Sequence, residues 1–195
     1  MIQRLITLMV FLPFLGAIFQ AFLPASGAKS KGLALSRWVA LGASLASSLC
    51  GVVLVATMRS QTAELQANEI VPWLGSYAIS YDMGMDGLNV LLILLVAIIF
   101  PLLIASEWNQ KMGIRGMHGL LLILQSSLLG AVCSQDLFLL FFFWALSSLP
   151  FYFLIGIWGG AARESAAFRY MVASPIGNAL FFAALLLVYY SVDPH

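Results

Sequence analysis

Charge is what this sequence has least of. Only 9% of its 195 residues are Asp, Glu, Lys or Arg, against 62% hydrophobic residues, whereas soluble domains are about a quarter charged. A soluble fold built from it would lack the charged side chains to cover its surface, and a mean hydropathy of +1.00 agrees. The expected solvent is lipid. Basic runs are missing too: a net charge of +1 without a Lys/Arg cluster leaves no footprint for nucleic acid. Cysteine is reduced to Cys50 and Cys133, which sit in separate apolar runs without metal-ligand spacing. They read as buried small side chains rather than a disulfide or a metal site. There is no Gly-rich phosphate loop and no nucleotide, haem or iron–sulfur motif. No cofactor is therefore expected in this chain, and no nucleophile or metal constellation points to catalysis by the chain alone.

Long apolar runs, by contrast, are abundant. A bilayer core takes about 20 apolar residues per helix, and six stretches meet that need: 5–23, 38–58, 88–106, 117–134, 137–158 and 167–190. They predict an all-α, polytopic transmembrane bundle of six spans forming a single membrane domain over 1–195. The first, third and fifth connections carry Lys29 and Lys31 with Arg37, Lys111 with Arg115, and Arg163 with Arg169, while Glu64, Glu69, Asp82, Asp86 and Asp136 fall on the other side. The excess of Lys and Arg places those connections in the cytoplasm and both termini on the outer side, in a bacterial inner membrane. A cleaved signal peptide is the competing reading of Arg4, the first apolar run and "PASGAKS"; against it, Lys29, Lys31 and Arg37 directly follow and resist translocation. The longest connection, 59–85, contains a short run at 69–73, a Gly-Ser turn and alternation over 77–82. That pattern predicts a small hairpin on the outer face, with Trp73, Tyr77 and Tyr81 suited to the headgroup layer.

Polar residues inside the spans carry the functional information, because lipid offers them no partners. In the fifth span Ala145, Ser148 and Tyr152 share one face by helical spacing, Ser147 lies nearly opposite, and Pro150 frees the carbonyl of Leu146 for Ser147 or Ser148 to satisfy. Two readings stay open there, a serine-patched kink and a lining for water. In the sixth span Tyr170, Ser174 and Asn178 recur every fourth residue, Pro175 interrupts the backbone, and Ala173 and Gly177 form a small-xxx-small pair. Arg169 lies about one turn inside and reads either as a side chain snorkelling to the surface or as a buried cation on a proton path. Gln125 and Ser126 read as interhelical hydrogen-bonding groups. Asp86 is positioned to cap the third span, Glu107 faces Lys111 four residues on, and His118 reads as a surface histidine at the start of the fourth span.

Together these residues resemble a known family. "YDMGMDGLNVLLILL" is similar to the entry of the third helix of the antiporter-like subunits of respiratory complex I, NADH-quinone oxidoreductase. "GAVCSQDLFLLFFFWALSSLPFYFLIGIWGGAARESAAFRYMVAS" is similar to the family's fifth and sixth helices. Subunit M, the mitochondrial subunit 4 type, is the nearest paralogue, and the matching block is about 73–190, with Asp86-Gly87-Leu88, Gln135-Asp136, Phe143-Trp144, Leu149-Pro150 and Trp158-Gly159 as ordered elements. The resemblance implies a fold of two inverted helical units, each with a half-channel, that couples quinone reduction elsewhere in the complex to proton movement. It implies partners among the other membrane-arm subunits of a complex I-like, hydrogenase-like or antiporter assembly, besides lipid. Quinone, flavin and iron–sulfur centres are then held only by those partners.

In that family a glutamate on the fifth helix tunes a lysine on the seventh, as a nearby carboxylate raises an amine's pKa. Where the family reads Trp-Glu, this chain reads Trp144-Ala145, and Gln125 stands where many relatives carry a carboxylate. Arg169 matches a basic residue of the sixth helix, but arginine stays protonated. The chain ends at His195, so the resemblance implies a truncated N-terminal part, helices one to six. The expected function is a structural or assembly role with the proton-pumping glutamate replaced by Ala145. Two alternatives stand beside it. One is a proton or sodium/proton translocating component completed by a separately encoded partner, with Arg169, Tyr152, Ser148, Ser174, Asn178 and Gln125 on its path. The other is a non-functional relic of an interrupted gene.

Overall fold

The structure is a computed structural model that describes residues 3–23, 30–57, 66–74, 79–109 and 113–192. In chain order these form α1 (Gln3–Phe22), α2 (Ser30–Thr57), β1 (Gln66–Leu74), β2 (Ile79–Met85), α3 (Gly87–Ser106), a 3-10 turn at Glu107–Asn109, α4 (Ile114–Cys133), α5 (Leu137–Trp158) and α6 (Arg163–Val192). All six helices are long and apolar enough to cross a membrane. The chain is a helical transmembrane bundle, as its apolar runs predict. Helix ends depart from the apolar runs, most at α2, which is 28 residues long and starts before its apolar run, and at α6, which is 30. Backbone hydrogen bonding carries a helix past the hydrocarbon boundary into its polar flanks, which hydropathy does not register. Residues 24–29, on which the signal-peptide reading turns, and Lys111, the expected partner of Glu107, lie outside the described residues.

α4 is the centre of the bundle, packing on α1, α2, α3 and α5. Two glycines let backbones close in. A Cβ on Gly16 of α1 would stand 2.6 Å from the Cβ of Ala43 and 3.2 Å from Leu122 Cδ1. A Cβ on Gly130 of α4 would stand 2.4 Å from the ring of Phe143, which is itself buried. The proline within α1 leaves work for side chains. Pro13 has no N–H to offer the carbonyl four residues back, and Ser47 Oγ donates to that carbonyl, Met9 O, at 2.6 Å. Next to it Ser126 Oγ donates to Val10 O at 2.7 Å. Arg115 Nη1 donates to Leu23 O just beyond the C-terminus of α1 at 2.6 Å, where helix carbonyls run out of intrahelical donors.

The predicted hairpin is present. β1 and β2 pair antiparallel, with Ile70 opposite Asp82 and Val71 opposite Tyr81; residues 75–78 and the side chains of Trp73 and Tyr77 lie outside the described set. Tyr81 is not simply a headgroup anchor. Thr7 Oγ1 of α1 donates to Glu69 Oε2 at 2.6 Å and accepts from Tyr81 Oη at 2.9 Å, strapping both strands to the first helix. At the same end Gln135 N donates to Asp82 O at 2.9 Å. Asp86 caps α3 as expected, accepting from Leu88 N at 3.0 Å and Asn89 N at 2.8 Å. Asp136 caps α5 in the same way, from Phe138 N at 2.7 Å and Leu139 N at 3.1 Å; its Asp-Leu-Phe start held that signal.

Candidate functional site

α6 packs chiefly on α5. Rings meet along the contact, Phe151 with Tyr170 at 6.2 Å and Phe141 with Phe181 at 5.7 Å. Near the α5–α6 loop a Cβ on Gly156 would reach Ala167 Cβ at 3.3 Å. Between these helices and the flanks of α3 and α4 runs a groove of about 1120 Å³. On α5 and α6 its polar wall is Ser147, Ser148, Tyr170, Ser174 and Asn178, interleaved with Trp144, Phe151 and Phe181, while Asp86, Asn89, Ser134 and Gln135 line its hairpin end. The stripe Tyr170, Ser174, Asn178 thus turns toward α5, where Asn178 Nδ2 donates to Ser148 Oγ at 3.2 Å. Ser147 Oγ donates to Trp144 O at 2.7 Å, so its bond goes one turn back and not to the carbonyl freed by Pro150.

Among the described residues lining the groove the one carboxylate is Asp86, at the hairpin end, and it caps α3. Ala145 is half-buried and does not line the groove, although Trp144 and Ser147 do. The groove can hold water or accept polar and small side chains of another helix. Among the described residues its mid-span lining contains no Asp, Glu, His, Lys or Arg.

The remaining sequence candidates are dispersed. Tyr152 lines a separate cleft of about 430 Å³ with Phe153, Gly156, Glu164 and Phe168. Arg169 is exposed and lines neither cavity. Gln125, on α4, is 0% exposed and lines neither cavity. Helical spacing alone groups Tyr152 with Ser148, yet the two residues line different cavities.

One expectation is corrected. His118 is not at the surface but 0% exposed, 3.4 Å through Nδ1 from Ser36 Oγ. Ser36 Oγ commits its hydrogen to Gln20 Oε1 at 2.8 Å, and Gln20 Nε2 donates to Ser36 O at 2.6 Å. Ser36 therefore accepts from His118 Nδ1–H, and Nε2 is left an acceptor. α4 begins at Ile114, so His118 lies a full turn inside the helix, and it shares a face with Gln125 seven residues on. Its polarity suggested a surface; its helical phase, together with Ser36, Ser44, Ser47 and Ser48 on α2, was the signal for a buried polar seam. All four serines are buried.

Comparison with known proteins places these features. Residues 134–193 match the family described as NADH:quinone oxidoreductase/Mrp antiporter, transmembrane. NAD(P)H-quinone oxidoreductase chain 4 2 of Thermosynechococcus vestitus is 34% identical over 190 residues, covering 96% of this chain and 35% of that protein. NADH-quinone oxidoreductase subunit M of Rhodobacter capsulatus is 28% identical over 187 residues, 96% of this chain and 36% of that one. Among solved structures, a chain of respiratory complex I from Thermus thermophilus with bound NADH superposes with a TM-score of 0.72 at 23% identity, over 91% of this chain and 35% of that chain. The chain spans about a third of the length of the curated relatives it matches.

Proposed function

We propose that this chain is a member of the antiporter-like family of NADH:quinone oxidoreductase and Mrp antiporter membrane subunits, which its residues 134–193 match, and that it supplies helices and contact surface to a membrane-embedded complex without carrying the proton step itself. The observation that carries this reading is the α5–α6 groove, whose mid-span walls hold serines, an asparagine and a tyrosine but no carboxylate or amine. Ala145 stands where the family resemblance sets the acid, and an alanine neither titrates nor stabilises a nearby cation. The half-buried Ser174 and Asn178, with the exposed Ala173 and Gly177, suit an approaching helix better than lipid. The partners are other membrane subunits of a redox-linked or antiporter assembly.

The orientation follows the charges. Arg37, Arg115 and Arg163 sit at the end of the bundle opposite the hairpin, while Glu69, Asp82, Asp86 and Asp136 sit at the hairpin end. The basic end faces the cytoplasm by the positive-inside rule, in a bacterial inner membrane.

A second reading, a translocating component completed by another chain, is favoured by one contact, the Ser148–Asn178 hydrogen bond inside a groove large enough for water. Proton flux separates the two. The complex isolated in mild detergent and reconstituted in liposomes is expected to pump equally with wild-type chain, Arg169→Ala and Tyr152→Phe. A tenfold loss of flux in either variant, with assembly intact, overturns the structural reading. Isolation of the chain without any membrane partner overturns both.

A further inference from the structure

The groove is not the only polar feature within the spans. Ser44 Oγ, His118 Nε2 and both amide atoms of Gln125 are buried without a protein hydrogen-bond partner, in side chains that are 0% exposed. Native interiors rarely tolerate such groups unless something else satisfies them, and a primary amide with neither end engaged is among the costlier cases.

These atoms are aligned. The Ser36–His118 contact at 3.4 Å fixes how α2 lies beside α4. Farther along, Ser47 and Ser126 donate to the adjacent carbonyls Met9 O and Val10 O of α1. Both pairs advance in the same direction, by eleven residues on α2 and eight on α4, so α2 and α4 run parallel with an offset of a few residues. Ser44 is eight residues beyond Ser36 and Gln125 seven beyond His118, which at about 1.5 Å per residue are equal climbs to within one or two residues. That register brings the hydroxyl of Ser44 and the amide of Gln125 to one depth, near the middle of both helices. Toward the hairpin the seam closes: Leu54, Ile93, Leu129 and Cys133 form part of one buried apolar cluster.

We infer that the α2–α4 seam binds internal water at mid-depth, bridging Ser44 Oγ and the Gln125 amide, with a further water on His118 Nε2. A buried water makes about three hydrogen bonds, and Ser44 Oγ with the two amide atoms offers that number. His118 Nε2 accepts from water, as the Ser36–Gln20 network dictates. The hydrated seam is separate from the α5–α6 groove, since none of Ser44, His118 and Gln125 lines it. Ala40 and Leu122, fully buried in a second apolar cluster, lie between the His118 level and the Ser44–Gln125 level, so the waters are separate internal sites that do not connect the two faces.

The test uses the full chain in lipid bilayers with glutamine side-chain amides labelled with ¹⁵N, read by solid-state NMR polarisation transfer from water. The Gln125 amide is expected to receive water polarisation and to vanish from the spectrum in Gln125→Leu. Absence of transfer overturns the proposal, since a direct Ser44–Gln125 bond or a dry pair gives none. Thermal unfolding supplies an independent reading that needs no spectrum from the leucine variant. Ser44→Ala is expected to lower the midpoint, because it strips the bridging water of a partner. A raised midpoint, the result for a hydroxyl buried without any partner, overturns it.

Discussion

The bundle formed by α1 to α4 and the pair formed by α5 and α6 obey different rules. In α4, 61% of the most apolar eighteen-residue window is buried within the chain; in α6 none of it is. The first region is held by close backbone approach and by serines that reach across to carbonyls of other helices. The second is held by ring contacts and the Ser148–Asn178 side-chain bond, and leaves Ala173 and Gly177 exposed. In lipid, helices associate through packing and interhelical hydrogen bonds, because the hydrophobic effect does not distinguish a neighbouring leucine from an acyl chain. By that measure α1–α4 stabilises itself, whereas α6 has the surface of a helix still to be packed.

The sharpest way to break this contrast is to place the same methyl group in each region. Gly16→Ala sets a Cβ 2.6 Å from Ala43 Cβ and 3.2 Å from Leu122 Cδ1, where α1, α2 and α4 meet. Overpacking of this kind costs about 1–3 kcal/mol, and the thermal midpoint in bilayers or detergent should fall accordingly. Gly177→Ala meets nothing within 4 Å and gains helix propensity, about 0.5–1 kcal/mol in a helix interior. The isolated chain should therefore be unharmed or slightly stabilised by it. Within an assembled complex the same substitution should weaken association if α6 receives a partner helix. Equal effects of both substitutions on the isolated chain would erase the distinction between the two regions.

A smaller effect sharpens the account of the first region. Ser47→Ala removes the donor that serves Met9 O after Pro13 withholds its own. Interhelical hydrogen bonds in membranes are worth about 0.6 kcal/mol, with a maximum near 1.7 kcal/mol, and the loss should fall in that range. In a Pro13→Ala background the backbone N–H at position 13 returns to serve the same carbonyl, so Ser47→Ala should cost less there. A double-mutant cycle by thermal or denaturant unfolding reads the difference; an unchanged cost would detach Ser47 from the proline.

Most of the architecture was legible from periodicity. Six apolar runs, the hairpin and the Asp86 cap are local properties, and each was recovered where local chemistry decides it. The groove was half legible. The stripe of Tyr170, Ser174 and Asn178 follows from a repeat of four, but its pairing with Ser148 and not Tyr152 depends on how two helices cross, which one helix does not encode. His118 was misplaced because a histidine near a span boundary looks like a surface group until the helix is seen to start at Ile114 and Ser36 is brought beside it. Long-range register between α2 and α4 leaves only a faint trace in the sequence, the serines of α2 that share a buried face.

The smallest expected effect concerns the joint between the two regions, where β2 meets the entry to α5. Asp82 accepts from Gln135 N through its backbone carbonyl. Its carboxyl lies near enough to feel Asp136, and its pKa is raised above the ordinary value, first by burial and then by repulsion from Asp136. An acid raised by folding binds more protons folded than unfolded, so its contribution to stability falls as pH rises. The penalty is absent below the unfolded value of about 3.9. It grows as pH climbs from there through the raised folded value, and is complete above it. Asp82→Asn keeps the shape of the side chain and removes the charge, so it should flatten the decline in midpoint as pH rises from the ordinary carboxylate value through the raised one, and leave the acid end unchanged. Because the joint ties the hairpin to α5 and not to α6, the pH-dependent loosening should show first as hydrogen exchange at the start of α5. A slope identical in wild type and Asp82→Asn would move its origin to another carboxylate and free the joint from any electrostatic role.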